Sequence, residues 1–189
     1  MPSSPTRYFR AMARNNAWAN HRLLSACAQL SVSEFQAKRV SFFPSIMLTL
    51  NHNLVVDWFY VDALEGGTLG PKAWENEAPC PTMAELMPEQ RKVDLRLVAF
   101  CDGLTEADLA AETRMHRDDQ VQRDRTDQVL LHLFQHQIHH RGQAHAMLAG
   151  TAVKPPQLDE FFVASEAPLR ADDMRALGWS ESEIWGDER

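Results

Sequence analysis

The sequence predicts an all-α fold, a four-helix bundle with a short helical C-terminal tail. Three observations carry this expectation. Four long segments repeat apolar residues at helical spacing. Their ends coincide with capping residues or with Gly and Pro punctuation. The chain has 189 residues, 44% hydrophobic and 24% charged, which suits one domain with a full core and would cramp two. The expected organisation is therefore one domain over 1–189, with a core at about 6–150 and an extension over 151–189.

The first helix is expected from Thr6 to about Leu30, with Phe9, Met12, Ala13, Ala17, Leu23 and Leu24 in helical rhythm. Ser31 to Phe43 reads as a connection with one turn of helix. Pro44-Ser45 then precedes a second helix, Ile46 to Leu64, which Gly66-Gly67 stops. A loop with Gly70, Pro71 and Pro81 follows. The third helix is expected to begin near Thr82, where Thr82-x-x-Glu85 fits a capping box, or after Met87; Pro88 is awkward inside a helix, so a start at Pro88 is favoured, with an end near Gly103. Thr105 to Asp108 suits a short helix, and the polar run 112–125 suits a short hairpin. Thr126 or Asp127 should cap the fourth long helix, which ends at Gly150. Pro155-Pro156 forces extended chain. The tail adds an aromatic stretch, Leu158 to Val163, and helical pieces near 170–177 and 181–186, with Ser180 as cap of the last.

Charge narrows the function. The formal net charge is −7, and the only basic pairs are Lys38-Arg39 and Arg91-Lys92. A basic stripe for nucleic acid or an anionic membrane is missing, so the expected partner is a small-molecule substrate. Cys27, Cys80 and Cys101 are odd in number and widely spaced, with no CxxC, and read as buried thiols of a reducing compartment. The N-terminus lacks a signal-peptide apolar core, and no apolar run spans a bilayer. A cytoplasmic protein is expected.

The chemistry concentrates in HLFQHQIHHRGQAHAML, residues 132–148. The chain has eight histidines, and His132, His136, His139, His140 and His145 fall in this stretch. On a helix turning about 100° per residue, His136 and His140 lie about 40° apart on the arc of Val129, Leu133 and Met147. Histidines at i and i+4 can put two nitrogens on one ion. His132-x-x-x-His136 has the same spacing, but His132 and His139 fall on a more polar arc, and His145 points elsewhere. A third ligand should come from another helix. His52 sits mid-helix in line with Leu48, Val55, Val56, Phe59 and Ala63; His21 and His116 lie in less apolar settings. From the residues alone, hydrogen-bonded core histidines remain an equal alternative to a shared metal.

These residues resemble a known family. Gln135-His136-Gln137-Ile138-His139-His140-Arg141-Gly142-Gln143 is similar to the NHxxHHRGQ signature of the DinB-like superfamily, which includes the YfiT-like group, with Gln135 in place of Asn. LNHNLVVDWFYVDALEG (50–66) resembles its second helix with the ligand histidine, NNAWAN (15–20) its first-helix motif, and PPQLDEFF (155–162) the segment after the last helix. The resemblance spans about residues 8–165. It implies an up-down-down-up bundle with a long crossover at Thr68–Pro81, a divalent transition metal on His52, His136 and His140, and a homodimer.

Three neutral imidazoles leave the ion's charge uncompensated, so it can act as a Lewis acid. Zinc, nickel or iron would suit the ligands. His139, Arg141, Gln143 and Asp57 are candidates to support the ligands, with Asp62 a further one, although His139 and Arg141 also read as structural. The superfamily implies an enzyme using a low-molecular-weight thiol as cosubstrate, a transferase or isomerase acting on a small electrophile. A metal-dependent hydrolase and a non-catalytic metal-binding stress-response protein are the alternatives. No paired Asp/Glu motif stands out as a general base, which favours the thiol. Trp18, Trp58 and Phe59 read as core or pocket wall. Glu89, Arg91, Lys92, Asp94 and Arg96 read as a solvated face.

Overall fold

The computed structural model describes residues 4–185. Its helices are α1 (Thr6–Cys27), α2 (Val32–Gln36), α3 (Ile46–Leu64), α4 (Met83–Gly103), α5 (Glu106–Ala110), α6 (Thr126–Leu148), α7 (Ala167–Leu177) and α8 (Ser182–Trp185). Strands β1 (Glu112–His116) and β2 (Val121–Arg125) pair as an antiparallel hairpin. Short 3-10 turns cover Gly70–Trp74 and Ala164–Glu166. Among the described residues, no helix is long and apolar enough to cross a membrane.

Each long helix packs on two others: α1 and α3 both lie against α4 and α6. The side-chain pairs give the relative sense. Along α1, Arg14 meets Asp102 and Asn20 meets Asp94, so α1 and α4 run in opposite order. Along α3, His52 meets His136 and Asp57 meets Gln90, while Glu65 meets Arg96. Leu23, Leu54, Phe59, Leu97, Leu130 and Leu133 fill the space between the four helices. A second apolar cluster sits on the outer side of α1, where Ala11, Trp18 and Ala19 meet Phe161, Met174 and Ile184 of the C-terminal segment.

Local chemistry explains the helix starts. The Ser45 hydroxyl accepts from the Leu48 amide at 3.1 Å and opens α3 where expected. Ser31 and Glu34 cap α2 reciprocally, at 3.2 and 3.0 Å. The α1 helix stops at Cys27, three residues short of expectation, because this Ser31 cap begins a new helix just beyond.

Three expectations are corrected. The α4 helix starts at Met83, and Pro88 lies inside it. Glu85 holds the Thr82 amide and hydroxyl at 3.0 and 2.7 Å, and Pro88 and Ala84 are both exposed, so the bond that Pro88 cannot make is missing on the outer side of the helix. Arg125, rather than Thr126 or Asp127, is the cap residue of α6, without a side-chain cap; the Thr126 hydroxyl is instead bonded to Thr113 at 2.9 Å, fastening the hairpin. Asp94 is not on a solvated face. It is 5% exposed, because it follows Gln90 by one turn and precedes Leu97 on the inward side of α4. In the tail, residue 186, where the last helical piece was expected to end, lies outside the described residues.

Candidate metal centre

His52 is carried on the second turn of α3, and His136 and His140 stack one turn apart on α6. The facing helices bring the three together: one ring nitrogen from each lies within 4.8 Å of the others. His52 Nε2 and His136 Nε2 are 3.0 Å apart. The rings of His140 and His52 are 4.6 Å apart and those of His140 and His136 4.5 Å.

Burial keeps these imidazoles neutral. Desolvation, with the neighbouring His140, pushes His52 down to about 4. Desolvation and the surrounding histidines push His136 down to about 3. His140 is lowered by desolvation too, and its bond to Gln143 opposes the shift. His136 Nδ1 is buried without a hydrogen-bond partner among the described residues. Three converging neutral imidazoles are a donor set that fits a divalent transition ion.

The support around the ligands is unequal. His140 Nδ1 donates to Gln143 Oε1 at 2.9 Å, which leaves Nε2 as the lone-pair nitrogen. The Gln143 amide in turn donates to His139 Nε2 at 3.0 Å. His139 is exposed, so this brace runs along the surface of α6. Phe43 packs against the ligands, with its ring 4.3 Å from His52 and 5.5 Å from His140. A cavity of about 330 Å³ opens beside His52, walled by Leu48, Val55, Val56 and Trp74, with Glu77 as its one charged side chain.

Arg141 and Asp57 are placed elsewhere, in a buried polar network between the helices. Arg141 donates to Asn20 Oδ1 at 3.1 Å and to Asn16 Oδ1. Asn20 and Asn16 donate to Asp94 Oδ1 at 2.9 and 3.3 Å. Gln90 joins Asp94 to Asp57, and Gln137 joins Asp57 to α6 at 2.6 Å. Burial raises Asp57 well above the carboxylate range, with Asp94 adding to it, and raises Asp94 to about 6. Burial also brings Arg141 down to about 10. Asp57 makes no hydrogen bond to the three histidines. Asp62 accepts from the Leu69 amide at 2.7 Å and shapes the turn after α3.

The remaining histidines are apart from the cluster. His132 is exposed against the Tyr60 ring. His145 donates to the Pro156 carbonyl at 2.9 Å and pins the tail. His21 lies 3.9 Å from Asp173, and His116 ends β1. The network of Asn16, Asn20, Gln90, Asp94 and Gln137 was missed in the sequence. Its only signal was that Asn16, Asn20 and Asp94 share helical faces with buried apolar neighbours.

A search of curated proteins returns no match. The family model described as the DinB family matches residues 1–174, which takes in all four long helices, the histidine cluster and most of α7; the chain belongs to the DinB family.

Proposed function

We propose that this chain is a metal-dependent enzyme in which His52, His136 and His140 hold a divalent transition metal (zinc, nickel or iron), with a low-molecular-weight thiol as cosubstrate and a small electrophile as substrate. The observation that carries the reading is the convergence of three neutral imidazoles within 4.8 Å. When bound, such an ion supplies Lewis acidity that lowers the pKa of a thiol or water beside it. The chain's own residues do the rest. Gln143 fixes the tautomer of His140 through Nδ1. Phe43 shields His52 and His140 from bulk water, and the apolar walls beside His52 receive the body of a substrate.

Two observations favour a thiol over hydrolysis by water. No carboxylate joins the three histidines in their cluster among the described residues, and Glu77, on the cavity wall, is exposed. The chain's own thiols are unsuited to attack: burial pushes Cys27 and Cys101 up to about 12 and raises Cys80. An activated thiol therefore has to arrive as a cosubstrate.

The up-down-down-up order is supported by the pairings that run oppositely along α1 and α4 and in the same sense along α3 and α4. Homodimer formation is supported by Leu131 and Ile138, exposed on one face of α6 at 61% and 52%, and sedimentation tests it. The three free cysteines suit a cytoplasmic location.

Elemental analysis tests the centre. The purified chain is expected to carry one equivalent of metal, lost in His52→Ala, His136→Ala and His140→Ala and kept in His132→Ala. Full metal in all three variants would sink the assignment. A screen of thiols against electrophiles tests the reaction. Full metal with a uniformly negative screen would favour the non-catalytic binding protein.

A further inference from the structure

A second cleft lies between α1, α4 and the C-terminal segment and shares no residue with the histidine centre. Its volume is about 270 Å³, below the usual range of about 300–1,000 Å³ for drug-sized ligands, so an occupant has to be small. Its apolar walls are Leu24, Met87, Leu95 and Trp179. Trp179 lies beyond the residues matched by the family, so the tail of this chain completes the cleft.

Two charged side chains of opposite sign line the same space. Asp94 is buried, 5% exposed. Its Oδ1 takes bonds from Asn16, Asn20 and Gln90, whereas its Oδ2 takes only a 3.2 Å bond from Asn20. An ionised carboxylate oxygen has about two acceptor sites, so Oδ2 has capacity left. Arg91 is exposed at the mouth, and no hydrogen bond or ion pair engages its guanidinium among the described residues. Arg91 and Asp94 are i,i+3 neighbours on α4, a spacing of about 5–6 Å between Cβ atoms. At that spacing they would ordinarily pair with each other. Here the carboxylate points into the helix interface and the guanidinium stays outside it, with the apolar cleft alongside.

We propose that this cleft binds a small zwitterion with an apolar body, the chemical class of the apolar α-amino acids. The ammonium donates to Asp94 Oδ2, the carboxylate pairs with Arg91, and the side chain fills the space between Leu24, Met87 and Trp179. A charge pair carried on one carbon matches two opposite charges one helical turn apart. Neither a neutral hydrocarbon nor a simple anion would satisfy both.

Isothermal titration calorimetry of the full metal-loaded chain tests this with L-phenylalanine as probe, beside phenethylamine and hydrocinnamate, which each keep one of its two charges. Saturable one-site binding of L-phenylalanine is expected, with both single-charge probes weaker by about tenfold or more. Arg91→Ala, at an exposed position, is expected to weaken L-phenylalanine about tenfold and leave phenethylamine unchanged. The Trp179 indole N–H resonance should shift on binding. Because amino acids chelate metals, the titration is repeated on metal-free His136→Ala, where the affinity should persist. No saturable heat at about 10 mM probe, unaltered L-phenylalanine affinity in Arg91→Ala, an unmoved Trp179 resonance, or loss of binding in His136→Ala would each overturn the proposal.

Discussion

The neutrality of the three imidazoles determines how metal affinity should respond to pH. A ligand histidine with the ordinary value of 6.5 would begin to compete with protons just below neutrality. His52 and His136 sit at about 4 and about 3, so neither needs to lose a proton at pH 7. Metal affinity, measured by chelator competition, is expected to change little between pH 7 and 6, because all three ligands are lowered from the ordinary histidine value. A steep fall between pH 7 and 6 would contradict it. The sign for the metal-free fold follows from the same shift. Above 6.5 both folded and unfolded states are neutral; below it the unfolded chain takes up protons that the folded chain refuses, so stability is lost as pH falls from 6.5 towards 4. Gln143 tests the brace. Gln143→Leu removes the acceptor from His140 Nδ1 and should weaken metal binding about 10–100-fold, while His139→Ala, one bond further out and exposed, should cost less. The pair His136 and His140 was legible because helical spacing and an apolar arc can be read from one strand of sequence. Asp57 was not, because its partners Gln90 and Gln137 come from two other helices, and a polar residue gives no sign of burial until those helices close around it.

The α4 helix shows how an element can run through a residue that should end it. Pro88 removes one backbone donor, yet the Thr82 and Glu85 cap fixes the turn before it, and the orphaned carbonyl side is exposed. Inward residues Leu86, Val93, Leu97 and Cys101 then hold the helix to its neighbours. Packing therefore outweighs a local cost of about 3 kcal/mol. Pro88→Ala should return the missing bond and raise stability by about 1–3 kcal/mol. Urea denaturation would report a higher midpoint at an unchanged slope, and a lower midpoint would show that the proline ring packs usefully. Weighing propensity at this position favoured a start at Pro88 over one at the Thr82 cap, and the favoured start lies five residues late for that reason. The boundaries of α3 were legible, since Ser45 and Gly66 act locally and no tertiary contact has to be known to read them.

Across the molecule, the described chain divides its apolar burial between a core inside the four long helices and a smaller cluster under the tail. The tail is fastened by polar contacts that the sequence could not pair. Trp18 donates to Asp173 at 3.1 Å, and Arg22 reaches Asp173, Glu160 and the Leu169 carbonyl. Arg170, 1% exposed, binds Glu181 at 2.9 and 2.7 Å and the carbonyls of Glu160 and Val163 at 3.3 Å. Those contacts lie within the tail and on the outer side of α1, while the histidines face the junction of α3 and α6. Loss of the tail's internal fastening should therefore open the tail and leave the centre intact. Arg170→Ala strands two carbonyls and frees Glu181, which is exposed enough to hydrate, so the local cost is about 2–3 kcal/mol. Limited proteolysis should cut within residues 151–185 faster than in the wild type, while metal content stays at one equivalent. Parallel loss of metal would mean that the tail and the helical core unfold as one unit.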